Sequence, residues 1–220
     1  MTKHLWTALA VALLLSLPSA SQGASPKAEQ PKTQVGDAWL YSVTANGHYL
    51  AKRRFTVAGK GEFRGQPALR ISSELTEVRS PKVKEFLEDG EIFFTPKGAW
   101  LGESRGPGRS DYAEPPLPVT LWPLKVGKKW TATVSLYFEL KDIPNEYNRF
   151  EVLSYGPLKV PAGTFDAFHV ERRSHRTTMN YWYAPKVKNI IKYQGVDWRD
   201  DLNYVIELVD YKLNSADHGK

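Results

Sequence analysis

The 220-residue sequence contains no cysteine. This absence excludes disulfide bonds, thiolate metal ligands and cysteine nucleophiles. It also excludes lipid attachment at a lipoprotein cleavage site, which requires a cysteine. Small secreted eukaryotic domains usually depend on disulfides, whereas a larger core can do without them. The composition therefore favours a bacterial periplasmic or extracytoplasmic protein.

Apolar stretches of membrane-spanning length are also missing. The longest apolar run, residues 5–17, follows Lys3 and precedes a small-residue segment that leads to Ala24. A bilayer core needs about 20 apolar residues, so a retained membrane anchor is the weaker interpretation. A positive charge, a short apolar run and small residues in this order are typical of a secretory signal peptide. We predict a signal peptide over residues 1–23, export to the periplasm or the exterior, and no transmembrane anchor after cleavage.

Recognisable catalytic motifs are scarce. The sequence has no Gly-x-Ser-x-Gly elbow, no His-Glu-x-x-His and no phosphate-binding glycine loop. His169 and His175 lie about 20 Å apart along an extended strand, too far to share a metal ion. The acidic turn of residues 197–201 could supply paired carboxylates for glycoside hydrolysis, although Asp-rich turns are usually structural. We therefore expect no enzyme activity, no catalytic or metal-binding residues and no cofactor.

The formal net charge is +6, and the basic residues are scattered rather than clustered. A nucleic-acid-binding surface normally concentrates Lys and Arg on one face. Export would also keep the protein away from nucleic acid. We expect no nucleic-acid partner.

Period-two alternation dominates the remaining sequence. In residues 129–140, apolar side chains from Trp130 to Leu140 alternate with mostly polar ones. Residues 39–44, 69–76 and 202–208 repeat this pattern. Such alternation predicts antiparallel strands with one face buried.

Turn signals separate the strands, and the strongest is Asn46-Gly47, which predicts a hairpin. Only residues 80–87 hint at a helix. We predict an all-β, mainly antiparallel fold, in which a curved meander sheet forms a half-barrel or open barrel with few or no helices. The predicted domain covers residues 35–213. A flexible linker over residues 24–34 precedes it, and a disordered tail over residues 214–220 follows it.

Residues 104–118 interrupt this rhythm with two glycines and four prolines. Because proline donates no hydrogen bond to a strand ladder, we expect this segment to lie outside the sheet. A connection of this length is either a mobile lid or a spacer between two parts of the sheet.

A short internal repeat is visible on both sides of that segment. Val35-Gly36-Asp37-Ala38-Trp39 and Val126-Gly127-Lys128-Lys129-Trp130 each place a glycine three residues before a tryptophan. The two matches suggest that the domain has two related parts.

The C-terminal part resembles a known family. The resemblance is carried by residues 160–170, which contain Pro-Ala-Gly-Thr-Phe, by the Tyr-Trp-Tyr-Ala-Pro of residues 181–185, by residues 190–193 and by residues 207–211. Residues 35–41 match the start of the same pattern. The sequence resembles a family of exported bacterial proteins without an assigned function. The resemblance implies a fold similar to the curved, half-open sheets of LolA-type lipoprotein carriers.

The same stretch supplies candidate ligand-binding residues. Tyr181, Trp182 and Tyr183 place aromatic rings on both faces of one strand. Such a cluster either packs in a core or forms one wall of an apolar groove. Trp100 is a further aromatic candidate. Arg105 and Arg109 could bind an anionic head group, although exposed arginines in loops are often only solvated.

Three hypotheses about function remain open. The first is a non-catalytic carrier or binding protein for an apolar or amphipathic ligand, such as a lipid. The second is an envelope interaction protein that docks a protein partner or a partner in polysaccharide assembly. The third is a hydrolase of envelope polymers that uses the acidic turn of residues 197–201.

Overall fold

The computed structural model describes residues 26–79, 88–106, 108–139, 141–197 and 202–214. These residues form fourteen β-strands and contain no helix. The strands are β1 (Lys27–Ala28), β2 (Ala38–Ala45), β3 (His48–Phe63), β4 (Gln66–Val78), β5 (Gly90–Phe94), β6 (Trp100–Ser104), β7 (Ser110–Leu117), β8 (Leu124–Lys125), β9 (Lys129–Phe138), β10 (Lys141–Val160), β11 (Gly163–Arg173), β12 (Thr177–Ala184), β13 (Asn189–Asp197) and β14 (Leu202–Lys212).

Twelve of the strands form one closed antiparallel barrel. Around the barrel the order is β2 to β7, then β9 to β14, and β14 pairs again with β2. Strands β1 and β8 form a separate two-stranded ribbon. The predicted all-β antiparallel fold is confirmed, and the curved sheet closes fully on itself.

The turns divide between the two ends of the barrel. At the end that we call the distal end, the turns are Asn46-Gly47, residues 105–109 and residues 174–176. At the opposite end, the N-terminal end, lie the turns 95–99 and 185–188. The predicted Asn46-Gly47 hairpin is confirmed, and both residues have positive φ, 47° and 77°. That conformation is the one in which a two-residue turn follows the twist of its strands.

The expectation that residues 104–118 lie outside the sheet is wrong. Strand β7 contains Pro115 and Pro116, and only residues 105–109 form the connection to β6. Gly102 of β6 pairs with Tyr112 of β7, whereas Trp100 pairs with Leu117, so the residues between these two partners are out of register. On the other side, the pairing of β7 with β9 ends at Glu114. The prolines therefore lie where the ladder is interrupted and no backbone N–H is required.

The internal repeat of the sequence corresponds to a repeat in the fold. Strands β2–β7 form one six-stranded meander, the first half, and β9–β14 form another, the second half. Gly36 and Gly127 have φ of 84° and 81°. The Gly36 N–H donates to the Val57 carbonyl at 2.9 Å, and the Gly127 N–H donates to the Val152 carbonyl at 2.8 Å. Each half therefore starts with the same glycine turn, hydrogen-bonded to its second strand.

The equivalence extends across three strands. In the first half Trp39 pairs with Phe55, and Phe55 pairs with Ser73. In the second half Trp130 pairs with Phe150, and Phe150 pairs with Arg172. We call these the Trp39 row (Trp39, Phe55 and Ser73) and the Trp130 row (Trp130, Phe150 and Arg172).

Two large apolar clusters support the barrel. One joins β9–β12 and includes Phe150, Val152, Phe168 and Tyr181. The other packs the tip of the β10–β11 hairpin against β2 and β14. Together they place buried side chains from both halves around the same interior.

Residues 26–34, predicted to be a flexible linker, lie at the N-terminal end of the barrel. Ala28 is buried where β1 pairs with β8, and the Gln30 amide donates to the Pro96 carbonyl at 2.8 Å. The Asp37 carboxylate accepts hydrogen bonds from the Gln34 and Asn214 backbone N–H groups, which joins the two ends of the domain. The predicted signal peptide, the helical hint over residues 80–87 and residues 215–220 of the predicted tail lie outside the described residues.

Candidate functional site

The barrel encloses a cavity of about 1430 Å³. Barrels of about eight strands are filled by side chains or hold one small ligand, whereas those of 16 or more leave a channel. Twelve strands lie between these cases, so an interior space is expected. Side chains from both halves line it, including Trp39, Tyr41, Phe55, Trp100, Tyr181 and Tyr183. The wall is therefore rich in aromatic and aliphatic surface, as in sites that hold apolar ligands.

Three of the candidate aromatic residues lie on this wall. Tyr181 and Tyr183 point into the barrel and are 1% and 4% exposed. The Tyr181 hydroxyl donates to the Val119 carbonyl, and the Tyr183 ring meets the Trp122 ring edge-on at 5.0 Å. Trp100 lines the same cavity from β6. Val119 and Trp122, in the connection between β7 and β8, thus hold Tyr181 and Tyr183 in place.

Trp182 lies on the opposite, outer face of the barrel. Its ring stacks on the His169 imidazole with centroids 4.4 Å apart, and the Lys192 ammonium lies 5.9 Å from its centroid. Alternation along β12 requires this separation from Tyr181 and Tyr183. Trp182 is therefore not brought together with the other candidates.

Arg105 and Arg109 lie at the distal end, outside the cavity wall. Arg105 pairs with Glu103 at 2.9 Å and with Asp111. Arg109 pairs with Glu88 at 2.7 Å and with Glu139 at 3.0 Å. Hydrogen bonds from Arg109 to Glu139 and Glu88 raise its pKa. Carboxylates of the protein thus already occupy both guanidinium groups.

The cavity instead contains an arginine that the sequence analysis did not single out. Arg172 is 9% exposed and lines the cavity near the end of β11. Its Nε donates to Asn148 Oδ1 at 2.7 Å, and one terminal nitrogen contacts Met179 Sδ at 3.4 Å. Among the described residues, no carboxylate lies within 4.0 Å of it. The alternation that places Phe168 and Val170 inside also places Arg172 inside, and this was the available signal.

The tyrosines beside Arg172 are held neutral. Burial raises the pKa of Tyr181 and of Tyr193, and the positive charge of Arg172 partly offsets this increase for both. Burial also raises the pKa of Tyr41 and of Tyr183. These upward shifts in pKa indicate surroundings of low polarity at the four tyrosines.

A second polar group lies near Arg172. The Glu146 carboxylate is 3% exposed, and its Oε2 lies 3.0 Å from His175 Nδ1 and 3.8 Å from Arg176 Nε. Neither contact has hydrogen-bond geometry, and the one to Arg176 is an ion pair. The Asn148 amide donates to the Glu146 backbone carbonyl at 2.9 Å, which connects the two polar groups.

The charged residues of the cavity wall are mostly basic. Six are basic and two are acidic. The basic residues are Lys32, Lys60, Lys141, Arg172, Arg176 and Lys188, and the acidic ones are Glu103 and Glu146. The wall as a whole therefore favours ligands that carry negative charge.

Within the residues that the structure describes, no group of three or more His, Asp or Glu side chains is placed to hold a metal ion. No helix in the described part of the chain has the length and apolar character needed to cross a bilayer. Of the acidic turn considered for hydrolysis, residues 198–201 lie outside the described residues.

Three solved structures of bacterial proteins are similar to this chain. A candidate exported protein with YmcC-like fold from Bacteroides fragilis NCTC 9343 aligns over 84% of this chain and 99% of its own, with 14% identity and a TM-score of 0.49. The hypothetical lipoprotein YmcC from Escherichia coli K12 aligns over 79% of this chain and 84% of its own, with 8% identity and a TM-score of 0.42. A candidate lipoprotein from Parabacteroides distasonis ATCC 8503 aligns over 84% of this chain and 99% of its own, with 12% identity and a TM-score of 0.38.

No protein-family model matches the chain. No curated protein matches it in sequence either. The similarity to LolA-type carriers therefore stays a prediction from the sequence.

Proposed function

We propose that this protein is an exported, non-catalytic binding or carrier protein that holds an amphipathic ligand, such as a lipid, inside the barrel. The observation that carries the proposal is the cavity of about 1430 Å³ with its aromatic and aliphatic wall. Pockets for drug-sized ligands usually measure about 300–1,000 Å³, so this one suits a larger molecule. Each methylene group buried there would contribute about 0.8 kcal/mol.

The polarity of the wall supports an amphipathic ligand over a purely apolar one. Phe55, Ile71, Phe94 and Trp100 supply apolar surface, while Arg172 supplies a charged group in the same space. A ligand with an apolar body and a polar end would contact both. A purely apolar ligand would leave the charged group without a partner, which is unfavourable.

The proposal is tested by filling the cavity. Ile92 lines the cavity, whereas Leu153 is 40% exposed on the surface. We expect Ile92→Trp to weaken uptake of a hydrophobic fluorescent probe at least about tenfold, since the added ring would occupy the ligand's space. The matched variant Leu153→Trp adds the same ring outside the cavity and should bind like the wild type.

Thermal unfolding of both variants provides the control for folding. Equal probe uptake by the wild type and by folded Ile92→Trp would contradict binding in the cavity. No uptake by the wild type would favour the alternative function, docking of an envelope partner on the outer surface.

A further inference from the structure

Arg172 is the most unusual charged residue of the cavity. It lies in the Trp130 row at the position that Ser73 occupies in the Trp39 row. We propose that Arg172 is the anchor for an anionic head group, a carboxylate or a phosphate, on an acyl-chain ligand. This inference rests on the proposed function and adds the chemical class of the ligand to it.

The charge of Arg172 is not balanced by any carboxylate among the described residues. A guanidinium group stays protonated in proteins and has five N–H donors. Arg172 directs Nε to the Asn148 amide oxygen and one terminal nitrogen to the Met179 sulfur, and both partners are neutral. Within the described part of the chain it forms no ion pair, although it is 9% exposed. A buried charge is costly without a counter-charge, so the site is completed by a ligand that brings one.

The Arg172 guanidinium group is held in position by Asn148. Asn148 is fully buried, and its own amide donates to the Glu146 carbonyl at 2.9 Å. Its oxygen is thereby directed at Arg172 Nε, at 2.7 Å. This arrangement fixes the Nε edge of the guanidinium plane on a side chain that lines the cavity. Planar guanidinium groups bind carboxylate and phosphate oxygens through paired hydrogen bonds.

The nearby acid, Glu146, forms no ion pair with Arg172. Glu146 lies close to Arg176 and His175, with Oε2 at 3.8 Å and 3.0 Å. It is not among the ion-pair partners of Arg172. Glu146 therefore compensates the positive charge of Arg176 in the turn at residues 174–176, and Arg172 is left to pair with a ligand.

The cavity extends from Arg172 towards the opposite end of the barrel. Arg172 lies at the distal end, since β11 ends at Arg173 and the next turn is at residues 174–176. The cavity also reaches Gln30 and Lys32 at the N-terminal end. Between them lies the aromatic wall of Tyr181 and Tyr183. Of the six basic residues that line the cavity, Arg172 is the buried one. Its place at one end of the apolar space fits a chain with one anionic end.

The experiment compares three ligands with the same chain length: palmitate, hexadecyl phosphate and hexadecanol. Their dissociation constants are measured on the wild type, on Arg172→Met and on Arg173→Met. Arg173 is the matched control, because it follows Arg172 but lies on the outer face, paired with Glu171 at 2.7 Å. Thermal unfolding verifies that each variant is folded.

For the wild type we expect at least one anionic ligand to bind about tenfold to a hundredfold more tightly than hexadecanol, which corresponds to hydrogen bonds with a charged partner. Arg172→Met should reduce this ratio to about one and keep hexadecanol binding, because the apolar wall is unchanged. Arg173→Met should keep the wild-type ratio. The preference between palmitate and hexadecyl phosphate then identifies the head group.

The failures of the two proposals are distinguishable. If the wild type binds hexadecanol as tightly as both anions, the anchor is wrong while the cavity proposal stands. An unchanged ratio in Arg172→Met would also overturn the anchor. If Arg172→Met does not fold, the wild-type ratio alone decides. If the wild type binds none of the three ligands, the proposed function itself is overturned.

Discussion

The two halves of the barrel repeat the same hydrogen-bonded rows but place different polar groups within them. In the first half Arg53 on β3 donates to the Ser73 hydroxyl on β4. In the second half the arginine is on the other strand, where Arg172 on β11 donates to Asn148 on β10. Ser73 pairs directly with Phe55, and Arg172 pairs directly with Phe150. Their hydrogen-bond partners, Arg53 and Asn148, each lie two residues before that phenylalanine. Each half thus has one interior arginine at an equivalent cross-strand pair.

The surroundings of the two arginines differ. Burial lowers the pKa of Arg53, and the nearby Glu103 acts in the opposite direction. Arg53 also donates to the Glu88 carbonyl at 2.8 Å. Arg172 has only neutral partners among the described residues. The arginine of this cross-strand pair therefore makes structural contacts in the first half and has no counter-charge among the described residues in the second, which is why we place the head-group anchor in the second half.

Trp39 and Trp130 make equivalent indole hydrogen bonds in the two halves. Trp39 Nε1 donates to the Val187 carbonyl of the second half at 2.9 Å. Trp130 Nε1 donates to the Pro118 carbonyl, directly after β7 of the first half, also at 2.9 Å. Each tryptophan thus joins its half to the other half near the N-terminal end of the barrel.

The largest expected effect comes from these tryptophans. Trp39→Ala and Trp130→Ala should each lower the free energy of unfolding by about 3–5 kcal/mol, the usual cost of truncating a buried aromatic residue. Trp39 is 2% exposed and Trp130 is 8% exposed, so the loss should be similar in the two halves. Urea denaturation measures both. A loss below about 1 kcal/mol for one of them would show that the halves do not share this contact.

The second prediction concerns the two arginines. Arg53→Met should lower the free energy of unfolding by about 1–3 kcal/mol, because Ser73 and the Glu88 carbonyl lose their donor. Arg172→Met should lower it less, because it also removes an uncompensated buried charge. Both are measured by urea denaturation of ligand-free protein. A larger loss for Arg172→Met would contradict the assignment of Arg53 as the structural residue.

The third prediction concerns alkaline pH. The folded-state pKa of Tyr183 in the second half and of Tyr41 in the first is raised by burial. Unfolded tyrosine ionises near pH 10, so the unfolded state loses protons that the folded state keeps. Stability is therefore complete below pH 10 and falls as pH rises further, by about 1.4 kcal/mol per pH unit for each such tyrosine.

Unfolding midpoints between pH 9 and pH 11.5 measure this effect. Tyr183→Phe should reduce the alkaline loss, and Tyr41→Phe should also reduce it, although the Tyr41 hydroxyl additionally donates to the Ile190 carbonyl at 2.7 Å. Identical pH profiles for the wild type and Tyr183→Phe would show that burial of this hydroxyl does not control the alkaline limit.

The smallest expected effect distinguishes the two glycine turns. Alanine at Gly127, with φ of 81°, should cost about 1 kcal/mol from backbone strain alone, since no atom lies within 4 Å of the added Cβ. Alanine at Gly36 meets the same strain, and its Cβ would also lie 2.6 Å from Asn214 Nδ2. Gly36→Ala should therefore cost more. Equal losses in thermal unfolding would mean that Asn214 moves freely.

Local patterns in the sequence were sufficient for most of the fold. Alternation over residues 129–140 and the Asn46-Gly47 turn depend on neighbours along the chain. The turn is confirmed, and the predicted strand is present as β9, which ends at Phe138. The role of the prolines in β7 was not predictable in this way. Their position is permitted because the register between β6 and β7 shifts between the Gly102 and Trp100 pairs. That shift depends on how the strands pair around the closed barrel.

The candidate site was predicted only in part. The aromatic segment was found, but the sequence alone did not decide which face of Trp182 and its neighbours turns inward. Arg172 follows Phe168 and Val170 on the same face, so its position was implied by alternation. Its lack of a carboxylate partner could not be predicted from the sequence, because it depends on which strands pair around the barrel.

The most direct test of the account is native mass spectrometry of the mature, exported protein beside a denatured sample. We predict additional mass that disappears on denaturation, together with an amphipathic lipid in the organic extract. A bare polypeptide mass, combined with no uptake of a hydrophobic probe, would contradict the claim that the barrel holds such a ligand.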